Sequence, residues 1–99
     1  MNIQAMMKQA QKLQGDMLKT KAEIDAKIFQ GSYSLVELSM NGKKEVVSLK
    51  LSRDLGIAEE DLELLEDSII VAINETMKNI DVETEQKMAK YGSGLNGLL

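Results

Sequence analysis

The 99-residue sequence predicts an α+β fold in which a long helix stands at each end of a small antiparallel sheet. Three observations carry this. Apolar residues recur at steps of three and four through the first quarter of the chain. The stretch "GSYSLVELSMNGKKEVVSLKLS" (31–52) alternates apolar and polar residues on both sides of an Asn-Gly pair. Beyond about residue 59 the helical spacing returns for some thirty residues, and no Pro interrupts any of these segments.

In the first segment, Ile3, Met6, Ala10, Leu13, Met17, Thr20 and Ile24 form one narrow seam, which predicts a helix from about Asn2 to Ala26. Such a helix is roughly 37 Å long, whereas a compact domain of this size has a radius of gyration of about 13 Å. Part of it must project or be covered by another chain.

Asn41-Gly42 between two alternating runs is a strong hairpin signal. Val36, Leu38 and Met40 share one face of the first strand, and Val47, Leu49 and Leu51 share one face of the second. For both sets to lie on the same side the loop must hold an even number of residues, either Asn41-Gly42 or Asn41 to Lys44. Ahead of the hairpin, "KIFQG" (27–31) carries Ile28 and Phe29 and fits a third strand at the sheet edge, so the sheet has two or three strands. "RDLGI" (53–57) reads as a turn.

The last helix is expected from about Glu59 to Tyr91, with Leu62, Leu65, Ile69, Ala72, Ile73, Thr76 and Ile80 on one stripe. Leu64, Val71 and Val82 fall nearly opposite, so this helix is covered from two directions, by its own sheet and by a partner. Those three residues are the candidate dimer contacts. Residues 1–91 then form one unit, and "GSGLNGLL" (92–99) is a loosely ordered, Gly-rich tail.

Composition narrows the function. There is no Cys and no His, which removes disulfides, thiolate nucleophiles, the commonest general base and the commonest nitrogen ligand for metals. No cofactor, metal or small-molecule substrate is expected. No apolar run reaches the ~20 residues of a membrane span, and the polar start lacks a signal peptide's apolar stretch.

The net charge of -4 conceals an asymmetry: the first 53 residues hold nine basic and five acidic side chains, the remaining 46 hold three and eleven. Lys8, Lys12 and Lys19 cluster within about 40° on the helical wheel, roughly 150° from the apolar seam. Lysines on a solvated face need no special cause, but two details add to these. Lys8 and Lys12 are a like-charge i,i+4 pair, mildly unfavourable without an anion between them. Small residues (Ala5, Gly15, Ala22) keep that side flat, although Gly15 inside a helix costs about 1 kcal/mol relative to Ala. A flat basic ridge suits a phosphate backbone. Lys87 and Lys90 complement the carboxyl end of the last helix. If both helices leave the sheet in one direction, these two also join Lys8 and Lys12 at a basic tip. Lys43 and Lys44, at the hairpin turn, are second-line candidates.

Other clusters have simpler explanations. Glu59, Glu60 and Asp61 are first-turn acids that favour the positive end of a helix rather than metal ligands. Phe29, Tyr33 and Tyr91 are too few and too scattered to stack single-stranded bases.

Four blocks, "MKQAQKLQGDM" (7–17), "VELSMNGKKEVVSLKLS" (36–52), "LELLEDSIIVAINE" (62–75) and "KYGSGLNGLL" (90–99), resemble in order and spacing the YbaB/EbfC family of bacterial nucleoid-associated proteins. The resemblance spans essentially the whole chain. It implies a cytoplasmic, tweezer-like homodimer that is associated with the nucleoid and held together through its sheets. The projecting helices would bind double-stranded DNA with little sequence preference, in a role in chromosome organisation and gene regulation. The family's DNA contacts carry over onto Lys8, Lys12, Lys19, Lys87 and Lys90. One departure is the turn "SRDLGIAEED" (52–61), where relatives commonly have a proline. The rival expectation is a prefoldin-like chaperone or coiled-coil scaffold without DNA binding, which requires helices paired along their full length. An enzyme ranks last, since no nucleophile and base are paired in the sequence.

Overall fold

The computed structural model describes residues 2–52 and 58–92; the expected turn at 53–57 and all but the first residue of the tail at 92–99 lie outside them. The chain runs α1 (Ile3–Ala26), β1 (Ile28–Tyr33), β2 (Val36–Asn41), β3 (Val46–Leu51), α2 (Glu59–Met88) and a final 3-10 turn (Ala89–Tyr91). The three strands form one antiparallel sheet in the order β1-β2-β3.

Asn2 starts α1 by accepting a hydrogen bond from the Ala5 amide at 3.3 Å. At the other end Lys27 turns to extended backbone (φ −70°, ψ 143°) and leads straight into β1. Ser34, in the left-handed region at φ 52°, turns β1 back onto β2 within two residues. Between β2 and β3 the Asn41 side chain accepts from the amides of Lys43 (2.9 Å) and Glu45 (3.1 Å), and Lys44 adopts φ 67°.

The even-loop expectation holds along the strands, where Val36 faces Leu51 and Leu38 faces Leu49, and fails at the tip. The Asn41 amide bonds the Glu45 carbonyl at 3.0 Å, which leaves Gly42, Lys43 and Lys44 as a three-residue reversal. A bulge next to Ser39 and Met40 absorbs the odd residue, so Val46 rather than Val47 lies opposite Met40.

Val36, Leu38 and Met40 face α2 and are fully or almost fully buried. From α2 the chain buries Ser68, Ala72, Thr76 and Ile80 at four-residue spacing, with Leu65, Ile69, Ile73 and Met77 packed at the margin. Small residues bring helix and sheet close: a Cβ on Gly31 of β1 would collide with the Thr76 hydroxyl. The buried hydroxyls of Ser68 and Thr76 donate to the carbonyls of Leu64 and Ala72 at 2.7 Å, so polar atoms sit in the core without an unmet hydrogen bond.

One expectation about packing holds and one is corrected. First, as its length required, α1 projects, and its seam is covered only in part within the protomer. Met17 and Ile24 are buried and Thr20 is half-buried, but Ile3, Met6 and Leu13 are 69%, 52% and 46% exposed. The cause is length: the chain after α2 brings Tyr91 only as far as Thr20 Oγ1 (2.8 Å) and the Asp16 carbonyl (3.2 Å). Second, Leu62 lies outside the buried stripe. The result is an elongated protomer of 72 × 19 × 15 Å with a radius of gyration of 19.4 Å, well above the ~13 Å of a compact domain.

Candidate nucleic-acid interface

The apolar seam of α1 determines where its lysines can go. With Met17 and Ile24 turned toward α2 and the sheet, the 100° step per residue places Lys8, Lys12 and Lys19 on the opposite, outer face. All three are exposed, and none forms an ion pair with a carboxylate among the described residues. From Lys8 to Lys19 the ridge is roughly 16 Å long. No acid precedes Asp16 in the chain, and a Cβ added at Gly15 would meet nothing within 4 Å, so this side is unobstructed.

The remaining lysines are placed differently. Because Tyr91 meets α1 at Asp16 and Thr20, Lys87 and Lys90 stand level with the middle of α1, near the turn that carries Lys19. Lys12 and Lys8 continue past them, about 6 and 12 Å beyond Asp16. The single basic tip expected from the sequence is therefore spread along the arm. Lys90 lies over the Tyr91 ring, 5.1 Å from its centroid, and keeps its charge free of carboxylates among the described residues. Lys87 is engaged by Glu83 at 3.2 Å.

Lys43 and Lys44 are remote from the arm. The hairpin tip docks on the last turn of α1, where the Gly42 amide donates to the Asp25 carbonyl at 3.2 Å and a Cβ on Gly42 would collide with the Ile24 carbonyl. That site is roughly 26 Å along the helix from Lys8. Lys44 is also paired with Asp81 of α2, whereas Lys43 is exposed.

Glu83 is the centre of the densest charge cluster. Lys27 holds both its oxygens (2.7 and 2.8 Å), and Lys87 approaches from the next turn. The hydrogen bond from Lys27, assisted by Lys87, keeps the Glu83 carboxyl below the usual carboxylate range against a weaker upward push from burial.

Of the candidate dimer residues, Leu64 and Val82 are exposed and Val71 is half-buried. Sequence reasoning missed a further apolar surface. Leu49 and Leu51 lie on the helix-facing side of the sheet, opposite Leu38 and Val36, yet are 39% and 37% exposed, and every residue of β3 is exposed. A helix about 10 Å across spans two strands spaced ~4.8 Å apart. Here α2 lies over β1 and β2 and leaves β3 uncovered. The signal available in the sequence was the apolar alternation of Leu49 and Leu51, a strand face that needs cover.

Among the described residues no group of three or more carboxylates is placed to hold a metal, and no helix is long and apolar enough to cross a membrane. The hollow between Lys21, Asp25, Lys44 and Asp81 measures about 190 Å³.

Three comparisons bear on this arrangement. A nucleoid-associated protein of Clostridium novyi (strain NT) is 41% identical over 98 residues, covering 97% of this chain and 85% of the relative. Similar proteins, also named nucleoid-associated, come from Ligilactobacillus salivarius (34% identical, 99% and 95% covered) and Lactococcus lactis subsp. cremoris (40%, 96% and 97%). Among solved structures, an uncharacterized protein from Helicobacter pylori superposes with a TM-score of 0.69 at 18% identity over 87% of this chain and 91% of that one, which establishes the shared fold. The sequence also matches the YbaB/EbfC DNA-binding family over residues 1–95, so the chain that presents this lysine ridge belongs to that family.

Proposed function

We propose that this protein binds duplex DNA as a homodimer, through lysine–phosphate contacts along its helical arms, with little sequence preference. One observation carries the reading: the exposed ridge of Lys8, Lys12 and Lys19 on the outer face of α1, none of them ion-paired among the described residues. Lysine ammoniums at this spacing contact phosphates as point charges and read no base edges. Lys90 and, behind its ion pair, Lys87 extend the same charge; Lys43 is an outlying contact, and Lys44 is occupied by Asp81. The net charge of -4 does not oppose this, because phosphate contact depends on the local field, and the acids of residues 59–67 start at the other end of the molecule's long helix.

The second copy supplies the cover that the protomer lacks. Leu49 and Leu51 on the open side of β3, with Leu64, Val71 and Val82 on α2, are the apolar surface it would bury. A dimer joined there leaves the arms free, as a DNA-binding tweezer requires. The family and its relatives' names support nucleoid association, and a cytoplasmic location and a part in chromosome organisation and gene regulation belong to the same proposal. The scaffold alternative is weaker, because α1 on the N-terminal side of Asp16 has no helix beside it among the described residues.

The test is fluorescence anisotropy at 50 mM salt with several unrelated duplexes, alongside light scattering for mass. A dimer that binds all duplexes within a few-fold of each other supports the reading. A monomer, or a dimer that ignores DNA, contradicts it.

A further inference from the structure

The ion pairs divide the lysines of the arm region into two sets. Lys8, Lys12, Lys19 and Lys90 face solvent without a carboxylate partner among the described residues, whereas Lys27 and Lys87 converge on Glu83. Within that cluster the two lysines are held unequally. Lys27 donates to both Glu83 oxygens at 2.7 and 2.8 Å and also lies 5.1 Å from the centroid of the Phe29 ring, so it is fixed from two sides. Lys87 meets Glu83 once, at 3.2 Å, from an i,i+4 position on an exposed helix turn. It is the lysine that can leave.

We propose that Glu83 is an internal competitor of DNA phosphate, fixed in place by Lys27 and withholding Lys87 from the nucleic-acid face. This rests on the reading of the arms as a phosphate-binding surface and adds a residue that tempers it. The physical reason is ion exchange. When a solvated lysine meets a phosphate, a counterion leaves the DNA and affinity gains a salt-dependent increment. While Lys87 stays on Glu83 it contacts no phosphate and releases no counterion, and to leave it must give up that ion pair, with Lys27 alone then balancing the carboxylate. The carboxylate then also stands close to the backbone it repels. In the native protein Lys87 therefore contributes little to either affinity or salt slope. With Glu83 made neutral it contributes like Lys8 or Lys12. The alternative role for Glu83 is purely architectural, as the tie between the end of α1 at Lys27 and the last turns of α2.

The deciding experiment measures duplex DNA binding across 50–200 mM salt for the native dimer, Glu83→Gln and Glu85→Gln. The last removes the same charge from the other side of the same helix turn and controls for net charge. Glu83→Gln is expected to steepen the slope of log K against log salt by about 0.9 per protomer. It should also tighten binding at 50 mM about 1.5- to 5-fold per protomer, the factor by which an exposed pair normally holds its lysine back. Glu85→Gln should leave the slope unchanged. Adding Lys87→Gln to Glu83→Gln should abolish the gain, which identifies Lys87 as its source. Equal slopes for Glu83→Gln and Glu85→Gln, or weaker binding by Glu83→Gln, would overturn the proposal and leave Glu83 as a structural tie. Failure of the native protein to bind would overturn the DNA reading and this proposal with it.

Discussion

The two halves of α1 share one heptad seam and one helix, yet they meet different surroundings. From Met17 to Ile24 the seam is buried against α2 and the hairpin tip, and Gly42, Asp25 and Tyr91 tie the region together. From Ile3 to Leu13 the same spacing carries exposed apolar residues behind a ridge of unpaired lysines. Periodicity thus specifies that a helix forms and which way its seam points, but not what covers the seam. Cover is decided by where α2 ends.

This contrast can be broken most sharply with one residue type at its two ends. Ile24→Ala should destabilise by about 2–5 kcal/mol, because Ile24 is 2% exposed and its removal leaves a cavity. Ile3→Ala, at a 69% exposed position, should cost less than about 0.5 kcal/mol. Urea denaturation measures both, and equal losses would show that the distal arm is covered in solution.

A smaller effect tests the boundary itself. Tyr91→Phe removes a hydroxyl that bonds both Thr20 and the Asp16 carbonyl, and should cost about 0.5–1.5 kcal/mol by the same measurement.

Just beyond that boundary the sign should reverse. Gly15→Ala, whose added Cβ meets nothing within 4 Å, should stabilise the helix by about 0.4–1 kcal/mol and leave DNA affinity unchanged. A drop in affinity would place Gly15 in direct contact with the backbone of the DNA.

The smallest effect expected is on pH dependence in the packed region. Glu83 has a folded-state pKa below its ordinary 4.5, so its contribution to stability is complete above that value and is lost as pH falls through the lower folded pKa. Thermal melts between pH 6 and pH 3 should show the native protein losing stability more steeply than Glu83→Gln, and parallel profiles would remove Glu83 from the charge cluster.

Much of this organisation was legible in the residues. The α+β order, both long helices, the inward Val36, Leu38 and Met40 and the outward Lys8, Lys12 and Lys19 all follow from spacing alone. What escaped depends on contacts between distant segments. Ser68 is fully buried because a small residue lets α2 settle on the sheet and its hydroxyl bonds the Leu64 carbonyl, which no hydropathy pattern reveals. The bulge near Met40 follows from Lys44 closing the turn in the left-handed region. The withholding of Lys87 depends on Lys27 crossing from another element to fix Glu83. Lysine spacing could identify the basic face but could not say which lysines were already engaged.

The central claim is that the unpaired arm lysines bind phosphate, and the salt slope tests it most directly. The three ridge lysines of each protomer, Lys8, Lys12 and Lys19, alone give six contacts per dimer, so native affinity should fall by at least about 10³ between 50 and 200 mM salt. Lys8→Glu/Lys12→Glu, confirmed as an equally folded dimer, should lose most of that slope together with low-salt binding. A native protein that binds DNA with no salt dependence, or a double variant that retains the native slope, would contradict the account.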